Sequence, residues 1–84
     1  MQLPPKKSLG QHFLHSPSVL AKIIKTARIQ KGETVLEIGP GTGTLTDELV
    51  TTGAKIIAVE KDDALSVSLR EKYGSRVEII NQDI

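Results

Sequence analysis

Val35-Leu36-Glu37-Ile38-Gly39-Pro40-Gly41-Thr42-Gly43 is the stretch on which the fold turns. Its first four residues read as a short strand of the kind buried in a parallel sheet. They run straight into a loop with glycine at every second position, too rich in glycine to continue a strand. Working downstream, Thr44 to about Thr51 reads as a helix with Leu45, Leu49 and Val50 turned inward, and Gly53 suits its end. Lys55 to Val59 is a second strand, ending at Glu60. Asp62 and Asp63 favour a helix start, since carboxylates are stabilised at the positive end of the helix dipole. Leu65 and Leu69 give that helix its inner face, and Gly74 ends it. Val77 to Ile80 is a third strand, closing at Asn81-Gln82-Asp83.

Upstream, Lys31-Gly32-Glu33 is a turn, and Ser16-Pro17 is a helix start with the serine hydroxyl placed to cap free amides. Leu20, Ile23, Ile24 and Ala27 recur at helical spacing, with Lys22, Lys25 and Arg28 on the opposite side. Residues 1–15, with two prolines and the pair Lys6-Lys7, read as an extended basic arm. The order helix, strand, helix, strand, helix, strand predicts an α/β fold: three parallel strands joined by right-handed helical crossovers. The first strand of such a set has an open edge, which invites self-association.

Composition narrows the possibilities. At 84 residues the chain is one small domain, of a size that buries only about 60–65% of its unfolded surface. There is no cysteine, which excludes disulfides and thiolate metal sites. No apolar run approaches the ~20 residues of a membrane span, and the prolines and lysines at the start interrupt any signal-peptide core. The expectation is a cytoplasmic protein without a membrane or metal partner. The net charge of +1 conceals an asymmetry: residues 1–31 carry six basic and no acidic side chains, and all ten acids lie after them. A basic arm before an acidic core points to a polyanion at the N-terminal end.

In open α/β sheets ligands sit beyond the carboxyl ends of the strands. Three features converge there: the Gly39–Gly43 loop after the first strand, Glu60 after the second and Asp83 after the third. Glycine lets backbone approach a ligand closely because no Cβ intervenes. Glu60 stands about 20 residues beyond the first glycine, where such folds place the acid that receives ribose hydroxyls. A dinucleotide fingerprint needs a third glycine at the position of Thr44. The pattern here is instead an acid, Glu37, followed by Gly39, Gly41 and Gly43 at alternate positions, the loop of S-adenosylmethionine methyltransferases. Glu60 is expected on the ribose, Asp83 on the adenine amine, and Glu37 near the methionine ammonium. Solvated strand-end acids are the plainer alternative for Glu60 and Asp83.

Lys7-Ser8-Leu9-Gly10-Gln11-His12-Phe13-Leu14, Val35 to Thr46, and Ala58-Val59-Glu60-Lys61-Asp62 together resemble one family, the ribosomal RNA adenine dimethyltransferases. The likeness runs over essentially the whole chain. The Gly-Gln-x-Phe-Leu arm beside Glu-Ile-Gly-Pro-Gly is far more specific than either alone. It implies the first half of a Rossmann-like S-adenosylmethionine-dependent methyltransferase domain (residues 16–84), with residues 1–15 as an arm over the cofactor site. It implies dimethylation of adenines near the 3′ end of small-subunit (16S) ribosomal RNA, with Gln11, His12 and Leu14 at the cofactor and Lys6 and Lys7 toward the RNA. His12 stands where many members have asparagine. Without the resemblance, His12 reads as a surface residue and Phe13-Leu14 as a hydrophobic plug.

The family's Asn-Leu-Pro-Tyr-type motif and its base-stacking aromatic are not in these 84 residues. No catalytic residue is expected among them, and the chain alone is expected to be inactive. The competing readings are a non-catalytic RNA-binding or transcription-factor relative of the same fold, and a dinucleotide-binding oxidoreductase.

Overall fold

The computed structural model describes residues 16–84. Helix α1 spans Pro17–Ala27 and is followed by strand β1, Thr34–Ile38. Helix α2, Thr44–Val50, leads to β2, Lys55–Glu60. Helix α3, Asp63–Tyr73, passes through a single 3-10 turn, Gly74–Arg76, into β3, Val77–Asn81. The three strands are parallel in the order β1-β2-β3. The expected elements are all present, each within a residue or two of its expected bounds.

Register determines what each strand shows to each side. Val35, Ile56 and Val77 stand side by side, as do Glu37, Ala58 and Ile79. These rows face the helices: Ile56, Ala58, Val77 and Ile79 form the core with Leu49 of α2 and with Leu69 and Tyr73 of α3. Both crossover helices therefore cover one face, as two successive right-handed βαβ units stepping in the same direction require. The alternate rows, Leu36-Ile57-Glu78 and Ile38-Val59-Ile80, face the other way. Leu36 is 59% and Ile38 55% exposed, so an apolar patch lies open on β1. Parallel strands ordinarily have both faces covered.

Two local expectations fail. Ser16 adopts the extended geometry of an N-cap but makes no side-chain cap hydrogen bond; its hydroxyl lies 3.1 Å from that of Ser18. On the apolar side of α1, Leu20 is buried but Ile23 is 39% exposed, and Ala27 is exposed as well. The helix rests on α2 rather than on the sheet, so only part of its apolar side meets the core. Lys22, Lys25 and Arg28 are exposed, as the amphipathic pattern requires.

Candidate functional site

The glycine loop is held at each of its glycine amides. Gly39 N–H extends the β1–β2 ladder by donating to the Val59 carbonyl at 2.8 Å. Gly41 N–H donates to Glu60 Oε1 at 3.1 Å, and Gly43 N–H closes a turn on the Pro40 carbonyl at 2.9 Å. The strand-end acid of β2 thus shapes the loop that follows β1.

Glu60 is 5% exposed and bonded through side chain and backbone alike. Its second carboxylate oxygen accepts from Asp62 N–H at 3.0 Å. Its carbonyl accepts from the Asn81 side-chain amide at 3.0 Å, Gln82 N–H at 3.1 Å and the Ser66 hydroxyl at 3.2 Å. A carboxylate offers about four acceptor positions. With Gly41 and Asp62 engaged, roughly half remain for a ligand. Glu60, expected on the ribose hydroxyls, also braces the loop.

Gly39, Glu60 and Asp83 line one cavity of about 240 Å³ at the carboxyl ends of the strands, with Ile38, Val59, Lys61, Gln82 and Ile84. That is slightly below the ~300–1,000 Å³ of a drug-sized pocket, the scale of part of a nucleoside cofactor. Asp83 is exposed at its rim. The lining suits a nucleoside: a fixed carboxylate acceptor, a second acid, and aliphatic walls from Ile38 and Val59.

Glu37 lies elsewhere. The register turns it to the helix-covered face, where it is 8% exposed and Oε1 accepts from the fully buried Thr46 hydroxyl at 2.6 Å. Burial raises its carboxyl above the ordinary 4.5; the Thr46 hydrogen bond opposes this and the nearby Asp47 charge adds to it. It lines a different, mostly apolar cleft between α1 and β1, with residues that include Ile24, Val35 and Leu45. The structure does not bring Glu37 to the Glu60–Asp83 cavity. Strand alternation is the reason, since Glu37 and Ile38 point to opposite faces.

Sequence reasoning missed Tyr73. It is 3% exposed at the end of α3, and its hydroxyl lies 2.9 Å from the Gly43 carbonyl and 2.6 Å from Asp47 Oδ1. Burial first, and the hydrogen bond to Asp47 next, push the phenol above its ordinary value of 10. Lys72 beside it pairs with Asp47 at 3.1 Å and reaches the Thr42 carbonyl at 3.4 Å. The inward spacing Ser66, Leu69, Tyr73 was available as a signal of burial, but nothing in the sequence named the partner 30 residues away. Gln11, His12, Leu14, Lys6 and Lys7 lie outside the described residues.

A parallel α/β sheet with a glycine loop and acids at its strand ends defines a nucleoside-binding class of protein. Within that class the comparisons are specific. The family model "Ribosomal RNA adenine dimethylase" matches residues 3–84, and the chain belongs to that family. It is 46% identical to a ribosomal RNA small subunit methyltransferase A from Dehalococcoides mccartyi, over 98% of this chain and 29% of that protein. A Streptococcus agalactiae protein of the same description is also 46% identical, over 94% of this chain and 28% of its own length. Among solved structures, the 23S rRNA methyltransferase ErmE superposes with a TM-score of 0.75 at 40% identity, over 84% of this chain and 30% of that one. A dimethyladenosine transferase from Plasmodium falciparum gives 0.68 at 33% identity, over 81% of this chain and 26% of that one. The chain spans about 30% of the length of the curated relatives it matches.

Proposed function

We propose that this chain is the cofactor-binding part of an S-adenosylmethionine-dependent ribosomal RNA adenine dimethyltransferase acting on small-subunit RNA in the cytoplasm. The observation that carries this reading is the Glu60 carboxylate. It is fixed by two backbone amides and positioned with Asp83 and Gly39 around one cavity. S-adenosylmethionine supplies an electrophilic methyl group on a sulfonium. The free acceptor positions of Glu60 receive the ribose hydroxyls, and Asp83 receives the adenine amine. Gly39, Gly41 and Gly43 let the backbone approach the ligand without a Cβ in the way. Glu37 holds α2 against β1 through Thr46, on the face away from the Glu60–Asp83 cavity.

Residues 1–15 serve as the arm, with Gln11, His12 and Leu14 over the cofactor and Lys6 and Lys7 toward RNA phosphates. Residues 16–84 are the first half of the methyltransferase domain. The reaction asks an enzyme to localise the amine lone pair and align it with the methyl, by positioning and preorganised acceptors. None of the described residues is placed for that step, and their part is to bind the cofactor. Its open edge at β1, with Leu36 and Ile38 beside it, supports self-association. Sedimentation of the chain beside a Leu36→Lys/Ile38→Lys variant tests this: a monomer in both cases excludes it.

Calorimetric titration with S-adenosylhomocysteine, beside NADH and a Glu60→Ala variant, tests the cofactor assignment. Binding of the sulfur nucleoside alone, lost in the variant, is expected. Binding of NADH instead, or no difference in the variant, rejects it.

A further inference from the structure

We infer that Tyr73 is a positioning residue that fixes the second half of the glycine loop. Its effect on cofactor rests on the reading of the loop as part of a nucleoside site; its effect on the loop does not. Three observations support the inference.

The ring is 3% exposed in the core, where a phenylalanine fills the same space. A buried hydroxyl is costly unless it is bonded, and here its one proton is shared between two acceptors, Asp47 Oδ1 at 2.6 Å and the Gly43 carbonyl at 2.9 Å. The same Gly43 carbonyl receives Asp47 N–H at 2.8 Å, the first helical bond of α2. One phenol thus joins the last residue of the loop to the first turn of the helix that follows. The fit is tight, because a Cβ built on Gly43 falls inside contact distance of the Tyr73 oxygen and 3.1 Å from its ring carbon Cζ. Gly43 also has φ of +93°. Finally, the restraint complements that of Glu60. Glu60 holds Gly41 from the end of β2, whereas Tyr73 holds Gly43 from the end of α3, so the loop is gripped from two elements distant in sequence.

Neither acceptor is stranded when the hydroxyl is removed: Gly43 keeps the Asp47 amide, and Asp47 keeps Lys72. Tyr73→Phe therefore isolates positioning from folding. Amide hydrogen exchange of Tyr73→Phe and the parent chain is measured by NMR, together with S-adenosylhomocysteine affinity at a temperature where both are folded. Exchange at Gly43 is expected to accelerate by about tenfold while Gly41, held by Glu60, and Ile57 and Val59 in β2 stay unchanged. Affinity is expected to weaken by about fivefold to tenfold, the effect of one net hydrogen bond. Unchanged exchange in the loop overturns the inference. So does equal acceleration in β2, which marks Tyr73 as core filling only. If the parent chain takes up no S-adenosylhomocysteine, the cofactor assignment fails, and loop exchange still decides the role of Tyr73.

Discussion

Gly43→Ala is the most discriminating perturbation of the loop, because Gly39 supplies its control. Both glycines have positive φ, +93° at Gly43 and +70° at Gly39. An alanine there bears a left-handed penalty of about 1–2 kcal/mol in either case. The surroundings differ: a Cβ on Gly39 meets nothing within 4 Å, whereas one on Gly43 runs into the Tyr73 hydroxyl. Forcing atoms into a packed interior adds roughly 1–3 kcal/mol. Gly39→Ala is thus expected to cost about 1–2 kcal/mol and Gly43→Ala about 2–5 kcal/mol. A domain of this length has a total stability of only about 4–13 kcal/mol, so the second loss is a large fraction of the whole. Urea titration followed by circular dichroism reads both. In a Tyr73→Phe background the nearest atom to the new Cβ becomes the ring carbon at 3.1 Å, and Gly43→Ala should lose about 1 kcal/mol or more of its cost. Equal costs at the two glycines, or no recovery in the double variant, refute the packing argument.

Three further outcomes follow from the same contacts. Glu37 has a folded pKa raised above 4.5 by burial, so the fold binds its proton more tightly than the unfolded chain does. Its contribution is fully present below pH 4.5 and is lost as pH rises through the raised value; the stability difference between wild type and Glu37→Gln should shift against wild type over that interval. Tyr73 is the one tyrosine in a chain without tryptophan, so phenolate absorbance reports it alone. Its raised pKa means that the stability it confers is lost above pH 10, and phenolate should appear together with unfolding detected by circular dichroism rather than before it. Lys72 and Asp47 are 44% and 49% exposed, so Lys72→Met should cost less than about 1 kcal/mol in urea titration.

Much of the fold was legible because its signals are local. Glycine at alternate positions after Val35–Ile38 cannot continue a strand, and the aliphatic runs at Lys55–Val59 and Val77–Ile80 have the length and residue types of parallel strands. Gly39, Glu60 and Asp83 converge because parallel strands place all their carboxyl ends together, so topology alone brings the three to one cavity. What the sequence left obscure depends on direction or on distant partners. Glu37 reads as a member of the cluster by its nearness to Gly39, but the two-residue period of the strand turns it to the opposite side. Ser16 has the residue type of a cap without the bond. Tyr73 has the spacing of an ordinary core residue, and the use of its hydroxyl depends on a loop 30 residues earlier.

Glu60 accepts five hydrogen bonds, from Gly41, Asp62, Ser66, Asn81 and Gln82. These donors come from the segments following β1 and β2, from α3, and from the end of β3 and the residue after it. Glu60 is consequently fixed when the sheet forms, its carboxylate by Gly41 and Asp62 and its carbonyl by the other three. Sheet and cavity thus share their fastenings: the carboxyl ends of all three strands meet at this one residue.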